Sequence, residues 1–231
     1  MLIVTPTYNE RDNLHDFVAR TLAVIPRAHV LVVDDASPDG TGELADEVAQ
    51  QEPRLRVLHR RGRRGLGPAY VEGLSWGLRH GYRWLFEMDT DLSHDPEHLP
   101  QLLGCLSAGA DVVVGSRNIP GGGVTGWGPL RHLVSKGGSV YARTILGVGV
   151  ADLTSGYKGY TRAALEAIDL GSIRSNGYSF QIETTYRALR AGLRVQEVPI
   201  LFHDRRAGQS KMSYRIFLEA VGMVWKLRWR R

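Results

Sequence analysis

The chain has 231 residues, 43% of them apolar, enough for one large domain or one domain with a small extension. Its formal charge of +5 gathers in three groups: Arg60, Arg61, Arg63 and Arg64; Arg205, Arg206 and Lys211; and Lys226, Arg228, Arg230 and Arg231. The single cysteine, Cys105, excludes an intrachain disulfide and permits a reducing compartment. No apolar run is long enough to cross a bilayer, and Met1-Leu2-Ile3-Val4 enters a strand signal rather than a signal-peptide core. The expectation is a soluble or surface-bound protein.

Leu2 to Val4 reads as a buried strand, Thr5 to Asn9 as a loop, and Glu10 to Ile25 as a helix. Val30 to Val33 is a second strand ending at Asp34-Asp35. Ser37-Pro38 then reads as a cap and first helical residue leading into Thr41 to Gln50. A third strand spans Leu55 to Leu58. After the Gly-Arg segment comes a helix near Pro68 to Leu78, then a fourth strand at Trp84 to Phe86. Glu97 to Leu106 is helical, and Val112 to Val114 is a fifth strand ending at Gly115-Ser116-Arg117. Asn118 to Gly128 is a glycine-rich loop, and Leu130 to Ile145 a helix interrupted at Gly137-Gly138. Asp152 to Tyr160 reads as a loop entering a short strand. Phe180 to Leu189 is helical, Leu193 to Val198 a strand, and Tyr214 to Trp229 a last helix.

Short apolar strands alternating with helices predict a mostly parallel sheet covered on both faces. The C-terminal ends of such strands form the default ligand crevice. Asp34, Asp35, Asp89, Asp91 and Arg117 all fall there. Neither an internal repeat nor a clear linker divides the chain.

Asp89 and Asp91 follow the fourth strand, within Phe86-Glu87-Met88-Asp89-Thr90-Asp91. Two carboxylates at that spacing suit a hard cation such as Mg²⁺ or Mn²⁺, which commonly serves phosphate chemistry. For Asp34-Asp35 two readings stand: acceptance of hydrogen bonds from a base or ribose, and capping of the following helix. Arg60 to Gly67 is neither a Walker loop nor a dinucleotide fingerprint; it is an anion-binding turn or a solvated basic one. His94 sits at a loop–helix junction and is read as ordering the metal loop. No His/Cys cluster has zinc spacing. Arg117 and Arg131 bracket the glycine-rich loop and suit a phosphate clamp, with Arg205 and Lys211 able to close the same site about Gly208; the alternative is four ordinary surface charges. The last helix has a broad apolar face (Ile216, Phe217, Ala220, Val221, Val224, Trp225, Leu227) and a basic end. It suits core packing or a membrane surface. Aromatics do not interleave with one basic groove, which argues against a nucleic-acid partner.

These motifs resemble the dolichyl- or polyprenyl-phosphate mannosyltransferases, inverting GT-A glycosyltransferases of family 2. The resemblance runs through Pro6 to Glu10, Val32 to Thr41, Met88 to His94, Gly115-Ser116-Arg117, Ser155-Gly156-Tyr157, and Asp204 through Arg205 and Gly208 to Ser210-Lys211. It implies an α/β chain with a single GT-A domain over residues 1–212, a Rossmann-like mixed sheet with helices on both faces. Residues 213–231 would be an amphipathic basic helix, on the domain or at the membrane surface. It implies GDP-mannose as donor, polyprenyl or dolichyl phosphate as acceptor, and Mg²⁺ or Mn²⁺ as cofactor. Pro6, Tyr8, Glu10 and Asp34 would lie near the nucleotide. Asp89 and Asp91 would hold the metal, with Ser93 at a third position. Arg117, Arg131 and Ser135 would hold the acceptor phosphate. Arg205 and Lys211 would approach the donor diphosphate, and Asp89, Asp91, Arg117, Arg131, Arg205 and Lys211 would act in transfer. A lipid phosphate is already anionic, so no histidine base is expected. The implied setting is peripheral, on the cytoplasmic face of a membrane, docked directly or through a small membrane-anchoring protein. The alternatives are a polyprenyl-phosphate glucosyltransferase using UDP-glucose, and a nucleotide-sugar-binding protein without turnover.

Overall fold

The structure is a computed structural model that describes residues 1–61, 65–204 and 214–229; for 129–134 and 214–220 the backbone alone is described. In chain order the elements are β1 (Leu2–Thr7), α1 (Arg11–Val24), β2 (His29–Asp34), α2 (Thr41–Gln51), β3 (Leu55–His59), α3 (Leu66–Arg79), β4 (Trp84–Glu87), α4 (Leu99–Ser107), β5 (Val112–Ser116), β6 (Gly123–Thr125), α5 (Pro129–Leu146), β7 (Lys158–Thr161), α6 (Arg162–Ile168), α7 (Gly177–Arg190), β8 (Val195–Pro199), β9 (Leu201–His203) and α8 (Tyr214–Trp229).

Among the described residues one sheet has the order β3-β2-β1-β4-β7-β5-β8. It is parallel except at β7, which runs antiparallel to β4 and β5. β6 and β9 form a small parallel pair beside it. Both faces are buried, as the apolar strands require. Ile3, Val30, Val32, Phe86 and Val113 point to a core shared with α1 and α4. Leu2, Val4, Leu31, Val33, Leu85, Val112 and Val114 point to the opposite core, shared with α3, α6 and α7. Each large apolar side chain so buried contributes about 1.5–3 kcal/mol.

Helix α3 lies unusually near the sheet. A Cβ on Gly73 would sit 2.4 Å from Val4 Cγ1, and one on Gly77 2.4 Å from Leu85 Cδ2. Glycine at these two positions, one turn apart, lets the helix descend and brings Tyr70 within reach of the strand ends.

A third cluster joins Ala142 and Leu146 of α5, Ile182 and Tyr186 of α7, and Val224 and Leu227 of α8. The last helix therefore packs on α5 and α7, while Trp225 and Trp229 stay 45% and 76% exposed. The helix thus packs on the domain and leaves its basic aromatic end exposed.

Several local expectations change. β1 continues through Thr7, where a loop was expected. α2 begins at Thr41 after Gly40, not at Pro38. α5 runs unbroken through Gly137 and Gly138, where an added Cβ would meet nothing within 4 Å. α6, β6 and β9 carry too few residues to give a periodic signal.

Candidate active site

Strand placement reverses between β1 and β4: β2 and β3 lie to one side of β1, while β4, β7, β5 and β8 follow on the other. In such sheets a crevice opens at the C-terminal ends beside the reversal. Its floor is laced by side chains. Thr5 Oγ1 is 2.7 Å from Thr90 Oγ1, joining β1 to the segment after β4. Thr7 Oγ1 donates to Asp34 Oδ1 at 2.9 Å, joining β1 to β2. The main-chain N–H groups of Asn9 and Glu10 donate to the hydroxyls of Ser37 and Thr41.

The two carboxylates after β2 divide their work. Asp34 accepts from Thr7, from Ser37 N–H (3.0 Å) and from Ser37 Oγ (2.5 Å), so its oxygens hold its own turn. This closes a turn rather than capping a helix, since α2 is headed by Gly40. Asp35 accepts from Gly65 N–H at 2.9 Å and pairs with Arg60, which also reaches Glu72 at 2.8 Å. It thereby fixes both ends of the Gly-Arg segment, whose residues 62–64 lie outside the described residues. Glu10, at the head of α1, accepts from Asn13 Nδ2 at 2.9 Å; Tyr8 and Pro6 line the same end of β1 and are partly exposed.

Three non-glycine residues adopt positive φ here: Asn9 (58°), Ala36 (53°) and Leu92 (59°), one beyond each of β1, β2 and β4. Ala and Leu have no side-chain polar group to offset that conformation, which costs on the order of 1–3 kcal/mol per residue. All three lie at the same ends of their strands, around the crevice. Their backbone conformation cannot be read from the sequence.

Asp89 and Asp91 are held differently. The Asp89 side chain is 33% exposed, and its Oδ1 accepts from Tyr70 O–H at 3.0 Å. Asp91 is buried, with Oδ1 accepting from Ser93 N–H at 3.0 Å. Ser93 Oγ is buried beside it with no hydrogen-bond partner among the described residues. His94 Nδ1 accepts from Asp89 N–H at 3.2 Å, and the ring stacks on Tyr157 with its edge toward Phe202. Burial lowers its pKa against the opposing pull of Asp89. The accepting Nδ1 and the burial both fit a neutral ring that orders the loop, as expected.

Among the described residues no three His, Cys, Asp or Glu side chains gather as a self-sufficient metal cage. Two carboxylates and a buried hydroxyl fit a hard divalent ion that takes its remaining ligands from water and phosphate oxygens.

Arg117 extends from β5 to the same crevice but is not an isolated cation. Nε and Nη2 each donate to a separate oxygen of Asp152 at 2.7 Å, Nη2 also reaches Thr154 Oγ1 at 2.9 Å, and the guanidinium lies over the Phe202 ring. Burial opposes its charge; Asp152 outweighs that and raises the pKa, with Asp89 adding to the effect. For Asp152 burial is likewise outweighed, by Arg117, which holds the carboxyl below its ordinary range. Arg117 follows the end of β5, where the sequence placed it, while its partner Asp152 drew no attention in the loop before β7.

Ser135 is partly exposed on α5, one turn before Ser139, whose hydroxyl lies 3.2 Å from Thr154 Oγ1. The backbone of 131 is in α5, but the Arg131 side chain lies outside the described residues, as do His132's side chain and all of Arg205, Gly208, Ser210 and Lys211.

Behind the crevice, Glu87 of β4 faces Lys158 of β7 across the antiparallel pair, both fully buried. Tyr160 O–H donates to Glu87 at 2.9 Å, and Lys158 Nζ donates to Gln181 O at 2.6 Å. Burial raises Glu87 to about 7 and lowers Lys158 to about 8, each restrained by the other's charge. Neither residue was singled out from sequence; strand pairing between residues 71 apart in number is what joins them.

The crevice at the strand reversal thus carries paired carboxylates on one side and a fixed guanidinium on the other. Residues 2–169 match the model of "Glycosyl transferase family 2", and the chain belongs to that family. It is 51% identical over 232 residues to the polyprenol monophosphomannose synthase of Mycolicibacterium smegmatis, covering 99% of this chain and 88% of that protein. It is 48% identical to the undecaprenyl-phosphate mannosyltransferase of Micrococcus luteus, covering 99% and 96%. Among solved structures, glucosyl-3-phosphoglycerate synthase from Mycobacterium tuberculosis, bound to Mn²⁺, UDP-glucose and phosphoglyceric acid, superposes with a TM-score of 0.71 at 18% identity, covering 98% of this chain and 79% of that one. A Pyrobaculum calidifontis mannosyltransferase bound to GDP-mannose and Mn²⁺ gives 0.59 at 16%, covering 98% and 69%. The fold is the GT-A fold expected.

Proposed function

We propose that the chain transfers mannose from GDP-mannose to polyprenyl phosphate with inversion, giving a β-linked mannosyl phosphate lipid and GDP. The observation that carries this reading is identity of about half to two polyprenyl-phosphate mannosyl enzymes across 99% of the chain. That span includes residues beyond 169, where the family model ends and where Arg205 and Lys211 lie.

Pro6, Tyr8 and Glu10 line the nucleotide, and Asp34 shapes its pocket through the turn it holds. Asp89 and Asp91, with Ser93 beside them, hold Mg²⁺ or Mn²⁺. Arg117, Arg131 and Ser135 receive the acceptor phosphate; Arg205 and Lys211 meet the donor diphosphate. An oxygen of the lipid phosphate attacks the anomeric carbon from the face opposite the diphosphate. The bond from that carbon to the diphosphate oxygen breaks, and its electron pair leaves with GDP. The attacking phosphate is anionic near neutral pH, so the step takes no proton from the acceptor and requires no histidine. A divalent cation, when bound, stabilises the charge that develops on the leaving diphosphate.

Charge in the described crevice supports a cation requirement. Asp34, Asp35, Asp89, Asp91 and Asp152 stand against Arg60 and Arg117, whose charges are already paired. Two phosphorylated substrates would be repelled unless a metal and the remaining basic residues entered. The lipid tail requires proximity to a membrane. Exposed Trp225, Trp229, Lys226 and Arg228 on α8 suit docking at the anionic cytoplasmic face, directly or beside a small anchoring protein. No described helix is long and apolar enough to cross a membrane.

The test is mass detection of hexosyl phosphate lipid with each donor in separate reactions, with and without Mg²⁺ or Mn²⁺. Product from GDP-mannose that depends on the cation is expected. Equal or greater product from UDP-glucose, or donor binding without product, overturns the reading.

A further inference from the structure

The Arg117 guanidinium is fixed along two of its edges. Asp152 takes Nε and Nη2 through separate oxygens, and also accepts the Arg117 main-chain N–H at 3.0 Å. The carboxylate is itself anchored. Glu197 of β8 accepts from the N–H groups of Ala151 and Asp152 at 2.8 and 3.0 Å, and Asn118 Nδ2 donates to Ala151 O at 3.2 Å. Thr154 donates to Asp152 Oδ1 at 3.1 Å, accepts from Arg117 Nη2, and meets Ser139 of α5 at 3.2 Å. The chain of contacts is continuous from β8, through the 151–154 turn and Arg117, to the helix that carries Ser135. Asp152 is fully buried, and the Arg117 side chain is 7% exposed.

We infer that Asp152 is a positioning residue for transfer, and that Thr154 and Ser139 relay its effect to α5. Asp152 sets the direction in which Arg117 presents Nη1, and the relay keeps that direction in register with Ser135. This rests on the reading above that Arg117 faces the acceptor phosphate. Because Asp152 cancels the charge, Arg117 supplies aimed hydrogen bonds more than net attraction. Orientation of this kind is sensitive: a displacement near 1 Å is enough to lower a rate by about 10²-fold.

Asp152→Asn separates this account from simple electrostatics. The variant frees a positive charge beside an anionic acceptor. If charge ruled, acceptor KM would fall. The positioning account expects acceptor KM to rise at least ~10-fold or kcat to fall at least ~10-fold, with donor KM within about twofold of the wild type. Steady-state kinetics with GDP-mannose and a short-chain polyprenyl phosphate reads this, with melting temperature as the folding control. Unchanged or lower acceptor KM with unchanged kcat overturns the inference. So does a rise in both KM values together, the mark of general damage. If Asp152→Asn fails to fold, Thr154→Val and Ser139→Ala decide. Each is expected to lower acceptor kcat/KM roughly 3–10-fold, and the double variant to lose little more than either alone. Additive or absent effects overturn it. A wild type without turnover counts against the proposed function; a wild type that turns over beside an indifferent Asp152→Asn counts against this inference alone.

Discussion

The two sides of the crevice are built by different means. The exits of β1, β2 and β4 are held mainly by many short hydrogen bonds among Thr5, Thr7, Asp34, Ser37 and Thr90, with the Asp35–Arg60 pair reaching out to the Gly-Arg segment and Asn9, Ala36 and Leu92 at positive φ. The exit of β5 depends on one buried ion pair, Arg117–Asp152, tied to α5 by two hydroxyls. Distributed hydrogen bonds tolerate the loss of one member. A buried ion pair does not, because removing one partner strands the other charge. The first side should therefore lose function without losing fold, and the second should lose both.

The largest expected break is at the proposed metal carboxylates. Asp89→Ala or Asp91→Ala should lower transfer by about 10²–10³-fold or more, and Asp89→Ala, on the more exposed side chain, should leave the melting temperature near that of the wild type. Paired turnover and melting curves check both halves of this statement. Next is Arg117→Lys. A lysine keeps the charge but cannot make the bidentate pair, so acceptor kcat/KM should fall about 10²-fold, and stability should fall by roughly 1–3 kcal/mol as the buried Asp152 loses hydrogen bonds. Denaturant unfolding measures the second effect. Loss of activity at unchanged stability would erase the contrast between the two sides.

A pH dependence sharpens the picture behind the crevice. The folded pKa of Glu87, about 7, lies above its ordinary 4.5, so the native state holds the proton more tightly. Its favourable contribution is complete below 4.5 and is lost as pH rises through about 7. Glu87→Gln removes that dependence. Relative to wild type the variant should gain stability as pH climbs through this window, read from urea unfolding at several pH values. A difference that is flat with pH, or of opposite slope, contradicts the assignment. The smallest expected effect is at α8: Trp229→Ala should reduce flotation with anionic liposomes about threefold while leaving turnover of short-tail acceptors unchanged.

Much of the first side was legible in the sequence. Apolar strands and polar residues at their ends gave the sheet, the crevice and the Asp89/Asp91 pair, because those signals are local. Less legible was anything made by tertiary pairing. Nothing in Lys158-Gly159-Tyr160 signals a strand reversed between β4 and β5. Tyr70 reaches Asp89 because Gly73 and Gly77 let α3 descend, a packing effect with no motif of its own. Asp152 lies 35 residues from Arg117, and its burial is what turns an ordinary loop aspartate into half of an ion pair. Asp34 and Asp35 shared one pattern, yet the fold gives one to a turn and the other to Arg60 and Gly65.

The most direct measurement is a competition in one vessel: wild-type protein, polyprenyl phosphate and Mg²⁺, with equal GDP-mannose and UDP-glucose, the mannose carrying carbon-13 so that the products differ in mass. The expected result is labelled mannosyl phosphate lipid almost alone, and its disappearance when a chelator is added. A product that is mainly unlabelled, or labelled product undiminished by the chelator, would contradict the account.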